Sequence, residues 1–214
     1  SLAHNGNLVN ARELRQGLEG SGSIFQTTLD TEIFLHLMAL SASDDPQEAL
    51  IEAARQVQGA YSLVLLTRDA VFALRDPHGF RPLCLGRLGD GYIVASETCA
   101  LDLVAAEYVR DVAAGELVRL DSQGIRSVAA FPAERPLRQC IFEHIYFSRP
   151  DSLVFGRTVN TSRRLLGKYL AREHPVDADV VVPVPDSGVS AAIGYAQESG
   201  IPLEFGLIRN HYVG

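Results

Sequence analysis

The sequence predicts two fold classes in succession: an α+β module over residues 1–138, then the opening of an α/β domain over residues 139–214. Three observations carry that reading. The middle of the chain breaks into short apolar runs joined by short turns, as antiparallel strands do. The last third alternates strand, helix and strand, as parallel sheets do. Apolar residues make up 47% of the 214 positions, yet no run of about 18 occurs, so there is a core to bury and no membrane span.

The elements follow in order. Asn10 to Glu19 reads as a short helix, with Asn10 as N-cap, Glu13 three residues on and Gly20 as stop. Thr31 to Leu40 reads as an apolar-rich helix. Asp44-Asp45-Pro46 opens another, with Leu50, Ile51, Ala54 and Val57 on one face. Strands follow at Tyr61–Leu66 and Val71–Leu74, turned by Arg68-Asp69, then at Pro82–Gly86, Tyr92–Ala95 and Glu116–Leu120. Glu97 to Ala106 reads as helical, and Ala129 to Pro136, with two prolines, as a link. In the last third Thr161–Glu173 is a helix and Val180–Val184 a buried strand. Gly188–Ser199 is a small-residue helix closed by Gly200, and Pro202–Ile208 is a second strand. No internal repeat or low-complexity tract interrupts the chain.

The composition narrows the function. Net charge is 19 − 26 = −7, where a general nucleic-acid binder is more often basic. Cys84, Cys99 and Cys140 are too scattered for a disulfide framework and fit a reducing cytosol. The first residues lack the basic flank and apolar core of a signal peptide.

Several stretches carry chemistry, each with a plainer reading beside it. In His4-Asn5-Gly6-Asn7-Leu8, Asn-Gly is a turn dipeptide, but an Asn amide and a following glycine N–H can also converge on a developing oxyanion. Asp30, before Thr31-Glu32, fits a helix cap or a holder of a ligand ammonium. Arg75-Asp76-Pro77-His78-Gly79-Phe80-Arg81-Pro82-Leu83 reads as an architectural turn. Cys140 is a small hydrophobe or one of the four ligands an iron–sulfur cluster needs. Pro185-Asp186-Ser187 lies at the carboxyl end of a parallel strand, where α/β sheets place ligands; Ser187 could face phosphate or hydrated Mg²⁺, and Asp186 or Ser187 could cap the next helix.

With Ala95-Ser96-Glu97, the string Ile145-Tyr146-Phe147-Ser148-Arg149-Pro150-Asp151-Ser152 and the terminal Arg209-Asn210-His211-Tyr212-Val213-Gly214, these motifs fall in one order. In that order the chain resembles the glutamine phosphoribosylpyrophosphate (PRPP) amidotransferases, or amidophosphoribosyltransferases, over essentially all its length. The resemblance implies an N-terminal-nucleophile (αββα-type) glutaminase domain followed by the start of a type I phosphoribosyltransferase domain. It implies a glycosyltransferase that moves glutamine-derived ammonia to PRPP, giving 5-phosphoribosylamine, the first step of de novo purine (IMP) biosynthesis. Asn5 and Gly6 would form the oxyanion hole, and Asp30 would bind the glutamine α-amino group. Arg209 and Tyr212 would lie in the loop that closes over PRPP and lines the ammonia channel. Ser187 would contact Mg²⁺, and Cys140 would match a ligand of the 4Fe-4S cluster that one branch carries. Purine nucleotides would inhibit, and the protein would be a cytoplasmic homo-oligomer.

The departures from the family pattern are also legible. The N-terminal Cys-Gly of the family, its glutamine-carboxylate arginine, its paired-aspartate PRPP signature and its remaining cluster cysteines do not occur here. Lys and Arg are usual in the family where this chain has Arg209 and His211. The sequence starts on Ser1 and stops at Gly214 just after a strand pattern. It therefore reads as an internal piece, expected by itself neither to hydrolyse glutamine nor to make phosphoribosylamine. A non-catalytic regulatory or binding relative is the alternative, and a glucosamine-6-phosphate synthase a third; the strand–Pro-Asp-Ser–helix arrangement argues against the last.

Overall fold

A computed structural model of the chain describes residues 1–131, 135–210 and 212. It divides into two compact units: Ser1–Ser96 with Ala100–Cys140, and Glu97–Cys99 with Ile141–Gly214.

The first unit holds three helices early in the chain, α1 (Ala11–Gly20), α2 (Thr31–Ala39) and α3 (Pro46–Gln56). They are interleaved with strands β1 (Leu2–Leu8), β2 (Gly59–Leu66), β3 (Ala70–Arg75), β4 (Cys84–Leu88) and β5 (Gly91–Ala95). After α4 (Thr98–Leu103) come β6 (Glu107–Asp111), β7 (Glu116–Asp121) and β8 (Gly124–Ala129). One sheet runs β1-β2-β3-β7-β8 and a second runs β5-β4-β6, both antiparallel.

Side chains alternate across a strand, and here the alternation builds layers. Leu63, Leu65, Phe72, Leu74 and Leu117 face the helices, in one core with Phe34, Leu50 and Ile51. Their neighbours Val64, Ala73, Val118 and Leu120 face the other way, packing with Leu83, Leu85 and Val112 around the second sheet. Beyond that sheet, Leu101 of α4 packs with Cys84 and Ala106. The order is helices, sheet, sheet, helix: an αββα sandwich, as expected.

Local signals place several boundaries. Asp45 caps α3 by accepting from the Gln47 N–H at 3.1 Å, with Pro46 in the first turn. Other expectations are corrected. Asn10 makes no cap; its side chain donates to the Gln56 carbonyl and accepts from the Gln58 N–H instead. His4-Asn5-Gly6 is not a turn but the middle of β1, paired along its length with β2. Residues 107–111 and 124–129 are strands, although their polar character hid them. The expected link therefore starts later, and Pro132, Ala133 and Glu134 within it lie outside the described residues.

The second unit contains one wide π-type helical turn (Glu143–Phe147), two short strands β9 (Leu153–Val154) and β10 (Arg157–Thr158), and helices α5 (Val159–Glu173) and α6 (Val189–Ser199). The two helices touch backbone to backbone: a Cβ on Gly167 would strike the Ala191 carbonyl, and one on Gly194 the Arg164 carbonyl. Gly200, at φ 77°, closes α6 in the left-handed conformation, as its position predicts. The two expected parallel strands shrink to a single parallel bridge, Val181↔Leu203. Pro183 and Pro185 remove backbone donors from the first strand. Val180, Val182, Val184, Leu207 and Ile208 are exposed among the described residues.

Candidate functional site

In the first unit the site is built on β1 at Asn5. Arg81 donates from Nε and Nη2 to Asn5 Oδ1 at 3.2 and 3.0 Å, and Asn5 Nδ2 donates to Ser96 Oγ at 3.2 Å. A guanidinium has no acceptor, so the amide oxygen must face Arg81 and the NH₂ must face away from it. Arg81 is anchored in turn: its carbonyl accepts from Ser62 Oγ at 3.2 Å and from Arg75 Nε at 2.8 Å. Ser62 stands opposite Asn5 on one neighbour strand and opposite Arg75 on the other, so three adjacent strands hold one amide.

Gly6 follows. A Cβ there would collide with the Ala60 carbonyl and come within 2.8 Å of His4 Nε2, so the closeness of β2 demands glycine.

Asp30 does not cap α2. Its Oδ2 accepts from the Leu8 N–H at 2.9 Å, and its Oδ1 lies 3.4 Å from His4 Nδ1. The reason lies in the loop before the helix. Glu32 accepts there from the Gln26 N–H at 2.6 Å, the Thr27 N–H at 2.8 Å and the Thr27 hydroxyl at 2.7 Å. Those bonds hold the Glu32 carboxyl at a pKa of about 2, well below its ordinary value. With the loop closed by Glu32, the Asp30 carboxylate turns to β1. Asn5, Gly6 and Asp30 are thus brought to one strand.

The stretch from Arg75 to Leu83 is architectural, as expected, but not only so. Arg75 is buried and donates to the carbonyls of Arg81, Val112 and Gly79 at 2.8, 2.7 and 3.0 Å. Asp76, fully buried, accepts from the N–H groups of His78 and Phe80 at 2.8 and 2.9 Å. Burial raises the Asp76 carboxyl and lowers the Arg75 guanidinium. Arg81, at the end of the same turn, reaches the site. The motif contained the residue but gave no sign of its contact 76 positions away. Ser96 and His4 stand in the strings Ala95-Ser96-Glu97 and His4–Leu8, which likewise give no sign of their contacts.

In the second unit an open cleft of about 730 Å³ is lined by Ser148, Arg149, Arg163, Asp186, Ser187 and Arg209, among others. Arg163 is buried and donates to the carbonyls of His144 and Ser148 at 2.7 and 2.8 Å, which fixes the turn that carries Arg149. Glu97 accepts from the Arg149 N–H at 2.8 Å and from Ser152 Oγ at 2.7 Å. Arg209 Nη1 lies 3.3 Å from Asp186 Oδ2. Neither Asp186 nor Ser187 caps α6; the cap position is Gly188, with no side-chain bond. Ser187 and Arg209 share the cleft, while Tyr212 is 98% exposed and outside its lining. His211, Val213 and Gly214 lie outside the described residues.

Two residues carry the metal-ligating expectations. Ser187 with the neighbouring Asp186 suits a hydrated Mg²⁺ whose other ligands are phosphate oxygens, since Mg²⁺ keeps several waters. Cys140, free and half-buried, is one of the four thiolates that a cluster would need. Its N–H donates to the Phe80 carbonyl at 3.1 Å, Cys84 and Cys99 are buried, and no group of three His, Cys, Asp or Glu side chains gathers among the described residues.

The glutamine amidotransferase domain family matches residues 1–103, the stretch that carries Asn5, Gly6, Asp30, Arg81 and Ser96. These residues form a glutamine amidotransferase domain. Its αββα layers are the N-terminal-nucleophile type of glutaminase fold. Similarity extends beyond the amidotransferase domain to the whole chain. The chain is 55% identical to amidophosphoribosyltransferase 1, chloroplastic, of Arabidopsis thaliana and 49% identical to the amidophosphoribosyltransferase of Bacillus subtilis (strain 168), over 214 residues in each case. All of the chain is covered, but only 38% and 45% of those relatives. A solved structure of the glutamine PRPP amidotransferase from B. subtilis, complexed with ADP and GMP, superposes with a TM-score of 0.94 at 48% identity, covering 100% of this chain and 47% of that one. The chain therefore spans less than half the length of these relatives.

Proposed function

We propose that this protein is an amidophosphoribosyltransferase: it takes ammonia from glutamine and transfers it to PRPP, giving 5-phosphoribosylamine, the first step of purine biosynthesis. The observation that carries the reading is the fixed Asn5 amide, its oxygen held by Arg81, one N–H given to Ser96 Oγ and the second left to donate. Such a donor, preorganised before the reaction, stabilises charge only as it develops. In this reading the Asn5 NH₂ and the Gly6 N–H receive the oxyanion formed on the glutamine amide carbon. The Asp30 carboxylate receives the α-ammonium.

The second unit supplies the PRPP end. Arg149 and Arg209, both exposed, bring to the cleft the charge that suits a diphosphate. Arg209 and Tyr212 belong to the segment that would close over it. Mg²⁺, when bound through its waters to Ser187, would neutralise charge on the diphosphate. Purine nucleotides would inhibit, a reading supported by the ADP and GMP bound to the B. subtilis relative. The protein would act as a homo-oligomer in the cytoplasm; its three free cysteines fit a reducing compartment.

The test compares two nitrogen sources in the protein expressed from its full reading frame. Asn5→Ala should lower kcat with glutamine by roughly 10²–10³-fold and leave ammonia-dependent synthesis intact. Arg81→Met should fall in the same direction by less. Equal loss with both nitrogen sources would overturn the oxyanion assignment. Absence of both activities in the unmutated protein would favour a non-catalytic binding relative.

A further inference from the structure

The His4 side chain is 2% exposed, yet its Nε2 has no hydrogen-bond partner. Its other nitrogen is fully engaged. Nδ1 lies 3.1 Å from Thr31 Oγ1 and 3.4 Å from Asp30 Oδ1. The ring stands edge-on to Phe34, with centroids 6.1 Å apart at 73°, so it cannot swing away without disturbing the core. Nε2 faces Gly6, in the space a larger residue would take. With the proton on Nδ1, the ring donates to Thr31 Oγ1 beside Asp30 and buries only a lone pair at Nε2. The opposite tautomer would bury an N–H with no acceptor, the costlier arrangement.

We infer that His4 is a positioning residue that fixes the Asp30 carboxylate for a substrate ammonium. The inference rests on the reading of Asp30 as the α-amino site. A carboxylate with one anchor can rotate about its Cβ–Cγ bond; one with both oxygens anchored cannot. The Leu8 N–H anchors Oδ2, and His4 Nδ1, held by Thr31 Oγ1, stands 3.4 Å from Oδ1 and hinders its rotation. Asp30 remains 24% exposed, so it can still meet a ligand. The α-amino group keeps its charge throughout amide cleavage, so its binding is uniform between ground and transition states. Losing an aid to that binding raises KM and spares kcat.

The experiment uses the protein from its full reading frame, with glutamine and with ammonia. An Asn side chain can place its NH₂ where His4 Nδ1 stands, whereas a Gln amide extends toward the Nε2 position. His4→Gln should raise the glutamine KM by about 10-fold or more with kcat within about 2-fold, and His4→Asn should return KM to within about 3-fold. Ammonia-dependent synthesis should be unchanged in both. His4→Gln added to Asp30→Asn should raise KM no further. An unchanged KM in His4→Gln, a fall in kcat at constant KM, or an equal loss with ammonia would each overturn the inference. If Asp30→Asn itself leaves KM unchanged, the α-amino reading of Asp30 fails and this inference with it. If Asp30→Asn raises KM and His4→Gln does not, only the role of His4 fails. Absence of both activities in the unmutated protein overturns the two readings together.

Discussion

The two units treat an apolar strand differently. In the first, β2 and β3 have partners on both sides, and their two faces are covered by helices and by a second sheet. In the second, Val181 and Leu203 make one bridge, and the valines around Val181 stay exposed. The connections differ as well. Antiparallel strands find partners through turns of a few residues, such as Arg68-Asp69, where the Thr67 N–H donates to the Ala70 carbonyl at 2.9 Å. Parallel strands must wait for a crossover helix, here α6, and gain less pairing for the same length of chain.

The largest test of this contrast is the buried polar turn of the first unit. Arg75→Leu would leave the carbonyls of Arg81, Val112 and Gly79 without their shared donor. It should destabilise the first unit by about 3–5 kcal/mol, read by urea unfolding with probes in each unit. A loss shared equally by both units would break the comparison.

In the second unit the weak point is the helix pair rather than the sheet. Gly167→Val would push against the Ala191 carbonyl and should cost about 1–3 kcal/mol. Thermal melting monitored at Tyr195 in α6 would show the shift. No shift would mean that α5 and α6 can separate without loss.

Acid should then loosen the first unit locally. The Glu32 carboxyl titrates at about 2 when folded, against 4.5 for an ordinary glutamate. The folded form gives up its proton more readily. The Glu32 contribution is therefore complete above pH 4.5 and is lost as pH falls toward 2. The amide resonances of Gln26 and Thr27 should titrate with a midpoint near 2; a midpoint near 4.5 would show that the Glu32 bonds are not formed.

The smallest effect is expected at Arg172–Glu198, 2.7 Å apart at the surface between α5 and α6. Glu198→Gln should leave the melting midpoint of the second unit almost unchanged at physiological salt. A clear drop would mean that charge, rather than backbone contact, holds the helices.

Much of the candidate site was legible. Asn5, Gly6 and Asp30 stand out as residue types suited to an oxyanion and an ammonium. Their supports were not legible, because support comes from across the fold. Arg81 stands near the end of a structural turn, and Ser96 just before the helical stretch that starts at Glu97. Neither contact leaves a periodic or compositional trace. Asp30 looked like a cap because Asp before Thr-Glu usually is one; Glu32 took over the loop and freed it.

The sequence by itself determined what depends on neighbours along the chain. The capped start of α3 at Asp45-Pro46, the Gly200 end of α6, the two-residue hairpin at Arg68-Asp69 and the alternation of β2 and β3 all follow from local geometry. Tertiary structure alone decided the rest: that His4-Asn5-Gly6 is a strand rather than a turn, that Arg81 fixes Asn5, that Asp30 ties to Leu8, and that residues 180–184 form one bridge instead of a strand. The physical reason is common to these cases. A strand or a buried polar group is stable only when its hydrogen bonds are met, and the groups that meet them here lie tens of residues away.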